Sequence, residues 1–231
     1  MRIEELPRRT ATQMAAVVAL LILASIAAEG WRDLLQRADH PTLVRFFDAD
    51  LEHNLPTWYS SAQLFLAALL LGEIAVLRRL RGATFVRHWT WLAFIFAYLA
   101  TDESLVIHEQ LTPFMRAHFH VHGFLYRAWV IPVGLLLVAF VLAYLPFLGH
   151  LTRRMRILFI VSGAIYVGGA MGVEMVNTEL MQNVYGPAFG WRVVELAMQN
   201  VEELMEMGGI VLFVYTLLHC LIAETRLARP D

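Results

Sequence analysis

An all-α bundle of six membrane helices is the fold this sequence predicts, and three observations carry that reading. The 231 residues are 58% hydrophobic and only 16% charged. That composition is too apolar for one soluble domain and ordinary for an integral membrane protein. Apolar runs of about the 20 residues needed to cross hydrocarbon recur along the chain. The last run carries acids on one face, so its polar residues turn inward rather than toward lipid.

Met1–Thr10 is a short arm with Arg2, Arg8 and Arg9. The first span is expected at about 11–28. Its flanking arginines and the Ser25-Ile26-Ala27 tripeptide also fit a signal peptide, but an uncleaved anchor is the expectation. Trp31–Trp58 is too charged to span, and a short interfacial helix is expected around Pro41–Phe47. The second and third spans are placed at 60–77 and 89–111. The fourth, at 127–147, is expected to kink near Pro132. The fifth covers 157–181 and the sixth 191–223. One domain is expected over 1–231, since no boundary, low-complexity tract or repeat interrupts it.

Arginine placement orients the bundle. Twelve arginines (2, 8, 9, 78, 79, 81, 87, 153, 154, 156, 226 and 229) fall at one set of span ends, and six (32, 37, 45, 116, 127 and 192) at the other. Both termini are therefore expected in the cytoplasm of a bacterium, with the chain in its inner membrane. All 18 basic residues are arginine. The net charge of −2 gives no footprint for nucleic acid. The single Cys220 excludes an internal disulfide or a cysteine-based zinc site.

The sixth span supplies the chemistry. With Glu195 at 0°, Gln199 falls near about 40°, Glu202 near about −20° and Glu206 near about 20°, at 100° per residue. Glu203 lies on the edge of that stripe. The third span adds Asp102, Glu103, His108 and Glu109, and the fifth adds Glu174, Asn177 and Thr178. On a 1.5 Å rise, Asp102 lies about 22 Å beyond Arg87 and Glu174 about 27 Å beyond Arg156, so acids from three helices reach similar depth in the outer half. In a regular helix Asp102 and Glu109 share a face while His108 points away from it.

Only Arg127 and Arg192 lie near enough to answer these acids. Buried charges are paired, coordinate metals or take up protons. Carboxylates with a histidine on facing helices are the ligand type of di-iron and di-manganese bundles, although the Glu-x-x-His pairs of that group are absent here. Asp102, His108, Glu109, Glu174, Glu195, Glu202 and Glu206 are the expected ligands of a divalent metal. Iron or zinc comes first, then manganese or copper. Glu103 and Glu203 are candidate catalytic acids or bases. A proton or cation path, and simple hydrogen bonding within the bundle, are the alternatives.

Other polar residues weigh less. His118, His120 and His122 would point to one side of an extended loop and suit zinc or copper. Met171, Met175, Met198 and Met205 flank the acidic faces and could suit Cu(I), but methionines at such positions usually fill gaps. Glu73, His219 and Glu224 are the polar groups on offer for a route to the cytoplasm. Gly168-x-x-x-Gly172 allows close helix approach.

The Asp102-Glu103-x4-His108-Glu109 pattern resembles a helix of uncharacterised bacterial multipass membrane proteins, a resemblance that implies no activity. The zinc-dependent alkaline-ceramidase-like membrane hydrolases carry an intramembrane His-x-x-x-His helix that has no counterpart here. The function expected from these residues is a metal-dependent membrane oxidoreductase or hydrolase acting on an apolar or lipid-like substrate. The alternatives are a proton- or cation-coupled transporter and an accessory subunit of a larger membrane complex. Homo-oligomers are compatible with each.

Overall fold

The computed structural model describes residues 3–34, 42–48, 53–118, 123–183 and 189–228. It is all-α, and no strand occurs among the described residues. The helices are α1 (Leu6–Leu34), α2 (Thr42–Phe47), α3 (Leu55–Leu80), α4 (Val86–Leu105), α5 (Ile107–His118), α6 (Val130–His150), α7 (Arg153–Val167), α8 (Glu174–Asn183) and α9 (Phe189–Ala228). A π-helical turn, Gly168–Val173, joins α7 to α8. Five of the resulting helices are long and apolar enough to cross a membrane, and α4 with α5 makes a sixth if that bent pair counts as one span.

Local chemistry sets the helix ends. Asn54 caps α3 by accepting from the Thr57 amide at 3.1 Å, with Pro56 in the first turn. Thr152 caps α7 through the Met155 amide. Such caps answer amides that have no partner in the first helical turn. Pro132, expected to kink a span, instead sits in the first turn of α6, where its missing N–H removes no helical bond.

α9 is the spine. It packs along α1, α3 and α7, and α3 also packs along α4. Gly169 and Gly209 make the α7–α9 approach possible. A Cβ on Gly209 would sit 2.8 Å from the Tyr166 nitrogen and 3.0 Å from the Ser162 carbonyl oxygen. A Cβ on Gly169 would sit 2.8 Å from the Glu202 carbonyl oxygen. The glycine expected to matter at position 172 has open space around it.

α4 meets α7 and α9 through rings rather than through close backbones. Phe96 stacks on Phe213 at 4.7 Å, and Phe159 stands edge-on to Phe213 at 5.1 Å. Trp89 reaches Phe147 at 5.1 Å and Phe159 at 5.8 Å. This aromatic layer, with buried Leu71, Ile74, Val214 and Leu217, fills the bundle toward its arginine-rich end. There Arg78 and Arg81 both pair with buried Glu224, tying the end of α3 to the end of α9. Glu224 is thus held by two guanidinium groups, and Glu73 is exposed on the surface of α3.

Backbone clash at Gly209 cannot be relieved by moving a flexible side chain. Gly209→Ala should therefore destabilise the protein by about 1–3 kcal/mol, as overpacking does. Gly208→Ala, where nothing lies within 4 Å, should be neutral or mildly stabilising. Thermal denaturation of both variants in detergent measures the contrast.

Candidate functional site

The polar residues gather above the aromatic layer, at the end where α4 and α8 finish and α9 begins. Their arrangement starts from a broken helix. α4 stops at Leu105, α5 resumes at Ile107, and their axes differ by 76°. Val106 between them is left-handed, with φ 53° and ψ 43°. A β-branched residue there is a real outlier, and such strain costs about 1–3 kcal/mol. The third span is therefore not the regular helix over 89–111 that its hydropathy predicts.

The break returns His108 to Asp102. The Val106 amide donates to the Asp102 carbonyl at 2.7 Å. The His108 amide donates to Asp102 Oδ1 at 2.9 Å, and Nδ1 of the His108 ring lies 2.8 Å from Oδ2. One carboxylate thus caps α5 and orients an imidazole, and Asp102 is only 9% exposed while doing so. Regular helical geometry had separated the two side chains by about 120°. Ser104 donates to Ser61 at 2.8 Å and Ser61 donates to the Ala100 carbonyl at 2.6 Å, anchoring the end of α4 on α3.

Arg127, just before α6, answers two more acids. It pairs with Glu109 at 2.6 Å and with buried Glu174 at 3.0 Å. The Trp129 ring stands edge-on to His108 at 4.8 Å. Asp102, Glu109 and Glu174, expected as metal ligands, are thus engaged by His108 and Arg127.

A second group lies on α9. Glu206 is within electrostatic range of Glu203, Glu103, Glu202 and Glu174. The Tyr166 phenol is in range of Glu206, Glu103, Asp102 and Glu203. Tyr166 drew no notice in the sequence, where one tyrosine in an apolar run carries no signal. Glu103, Glu202, Glu203 and Glu206 are half-buried. The π-helical turn faces them, with Gly169 against Glu202 and Glu206. Single π turns inside α-helices occur frequently at functional sites. Glu195 is half-buried two turns nearer the start of α9.

Among the described residues, no three His, Cys, Asp or Glu side chains are grouped closely enough to hold one ion. The methionines act as packing where they are defined: Met171 lies across Gly134 of α6, and Met205 across Gly168 and Gly169. His118 Nδ1 lies 2.8 Å from the Phe114 carbonyl, within α5. His120 and His122 lie outside the described residues. Glu29 pairs with Arg192 at 3.4 Å, joining α1 to the start of α9.

Fold and site together define an all-α protein with five or six helices long and apolar enough to cross a membrane and acidic residues gathered toward one end. The chain belongs to the family of the domain of unknown function DUF8692, whose model matches residues 12–220. No curated protein matches it, and no solved structure does.

Removing Arg127 would leave Glu174 buried without its cation, a loss of about 3–5 kcal/mol for a fully buried pair. Arg127 is 37% exposed, so solvent screening should hold the loss in Arg127→Gln below about 3 kcal/mol. Arg127→Gln with Glu174→Gln should recover part of it. A double-mutant cycle on thermal stability reads the coupling.

Proposed function

We propose that this chain is a metal-dependent enzyme of a bacterial inner membrane, working in the half of the bilayer away from the cytoplasm on an apolar or lipid-like substrate. The observation that carries the reading is the grip of Asp102 on His108. A carboxylate on Nδ1 fixes the tautomer and leaves Nε2 to act, which is how metal-binding imidazoles are held. It is equally how a general base is oriented.

In this reading His108 offers nitrogen ligation through Nε2, and Glu202, Glu203 and Glu206 supply oxygen ligands once side chains rearrange, since no three such groups stand within reach of one ion among the described residues. Asp102 moves from ligand to orienting group. Glu109 and Glu174 keep Arg127 in place beside the site, and Glu195 lies nearer the surface as an entry group. Glu103 is the candidate base for a metal-bound water, with Glu203 able to share that role. Mixed nitrogen and carboxylate ligation suits iron or zinc first, with manganese next. Copper finds less support, because Met171 and Met205 are engaged in packing.

The arginine-rich ends support a cytoplasmic placement of both termini, by the positive-inside rule. The charged and aromatic connection between α1 and α3 suits α2 lying in the interface. A transporter using the same acids needs a polar route toward the arginine-rich end. Glu224 is clasped by Arg78 and Arg81, Glu73 is exposed, and rings fill the interior between. That is a closed floor, and it favours a site entered from one side over a path through the bundle.

Elemental analysis of gently purified protein should find one or two divalent ions per chain, iron or zinc. His108→Ala and the pair Glu203→Gln with Glu206→Gln should each lower that content at least tenfold, while Glu73→Gln should leave it unchanged. Metal-free wild type, or full occupancy in both site variants, would overturn the assignment.

A further inference from the structure

We propose that the seam between α7 and α9 holds one anionic glycerophospholipid, its phosphate on Arg154, Tyr215 and His219 and an acyl chain along the seam. The inference goes beyond the proposed function. The site lies toward the arginine-rich end, about 14 Å along α9 from Glu206 at 1.5 Å per residue, so its lipid is a bound partner and not the substrate.

The polar half of the site starts from one arginine. Other arginines at this end are already engaged: Arg78 and Arg81 hold Glu224, Arg226 pairs with Glu4, and Arg156 donates to the carbonyls of Leu148, Gly149 and Leu151. Arg154 is exposed, and its partner among the described residues is a neutral hydroxyl, Tyr215 Oη, to which it donates at 3.3 Å. That bond uses one of five guanidinium donors and leaves the phenol its own proton to give. His219 stands edge-on to the Tyr215 ring at 4.6 Å, within electrostatic range of Arg154. A guanidinium, a phenol and an imidazole from two helices thus offer donors to one acceptor. A phosphodiester matches them, with two free oxygens and one negative charge that a guanidinium can grip by two bonds.

The apolar half follows from how the helices pack. Ser162 and Tyr166 meet Gly209, Phe159 meets Phe213, and Met155 meets Cys220, so α7 and α9 run antiparallel. At 100° per residue from Ser162, Arg154 falls near about −80° and Val161 near about −100°. From Gly209, Gly208 falls near about −100°, Leu212 near about −60° and Tyr215 near about −120°. On antiparallel helices equal rotations reach the same side of the seam, as the Arg154–Tyr215 bond itself shows. That side is open. A Cβ on Gly208 would meet nothing within 4 Å, and Val161 is 40% exposed. From Tyr215 past Gly208 to exposed Leu204 the stripe runs about 16 Å, close to half of a hydrocarbon core of about 30 Å.

Donors at one end of an open apolar stripe one leaflet long fit an amphiphile, whereas free phosphate would use the donors alone. Basic pockets between membrane helices bind anionic headgroups in this way. The nearby carboxylate of Glu224 is held by Arg78 and Arg81, so it is not on offer to the ammonium of a zwitterionic headgroup.

The test uses the full chain in mild detergent, titrated with phosphatidylglycerol, with phosphatidylcholine of the same acyl chains, and with glycerol phosphate. Native mass spectrometry and thermal unfolding read the binding. Phosphatidylglycerol should remain bound at one molecule per chain and raise the unfolding midpoint. Phosphatidylcholine should bind more weakly, and glycerol phosphate should give no shift. Arg154→Gln should weaken phosphatidylglycerol binding about tenfold, the loss of a charge-assisted hydrogen bond, and remove the preference over phosphatidylcholine. Tyr215→Phe should give a smaller loss. Gly208→Leu fills the open side without touching the donors and should weaken both lipids alike. Arg87→Gln, at another exposed arginine of this end, should change neither. Equal binding of the two lipids by the parent, an Arg154→Gln variant no weaker than Arg87→Gln, or stabilisation by glycerol phosphate equal to that by phosphatidylglycerol would overturn the site. Metal content does not enter these measurements, so the lipid site can fail while the metal assignment stands, and the reverse.

Discussion

Carboxylates inside an apolar bundle must be answered, because water is not there to solvate them. That requirement organises the end of this protein where α4 and α8 finish. It explains why one arginine bridges two acids from different helices and why an aspartate turns back on the histidine beyond a helix break. Where an answer is structural, as at Glu224 between Arg78 and Arg81, the group is clasped from two sides and the helices are locked. The acids on α9 are instead set against one another and against Tyr166, close enough for each to feel its neighbours.

Rigid and pliant parts of the fold are arranged accordingly. Toward the arginine-rich end, stacked rings and buried aliphatic side chains join α3, α4, α7 and α9 into a dense core. Gly169 and Gly209 let α9 lie directly on the α7 strand of helix and on its π turn. The left-handed Val106 marks the point at which the regular helix gives way. Strain of that kind persists only where surrounding contacts over-determine it. Here those contacts come from Asp102, from Arg127 and from Arg116, whose Nε donates to the Tyr126 carbonyl.

Much of the bundle was legible from residue order. The apolar runs gave the long helices, while the stripe of Glu195, Glu202 and Glu206 lies half-buried on α9. The short helix at Thr42–Phe47 falls where a helix was expected after the first span. The break at Val106 was not legible. Nothing in Leu105-Val106-Ile107 forbids a helix, and valine is a residue that ordinarily argues against a left-handed turn. The bend exists because contacts distant in sequence, from Arg127 and Tyr126 to α5, favour it. The pairing of Glu109 with Glu174 through Arg127 was hidden for the same reason. Counting arginines against acids along the chain takes no account of one guanidinium serving two carboxylates.

Sequence alone determined that this chain is helical, apolar enough for a membrane, and burdened with acids on inward faces. Those properties follow from hydropathy and from the 3.6-residue period, which are local. Tertiary structure decided which acid meets which partner. It did so because that choice depends on where a broken helix folds back and how closely two glycines let their helices approach. His108 shows the difference most plainly: by spacing it points away from Asp102, and only the strained turn at Val106 brings its ring nitrogen within 2.8 Å of that carboxylate.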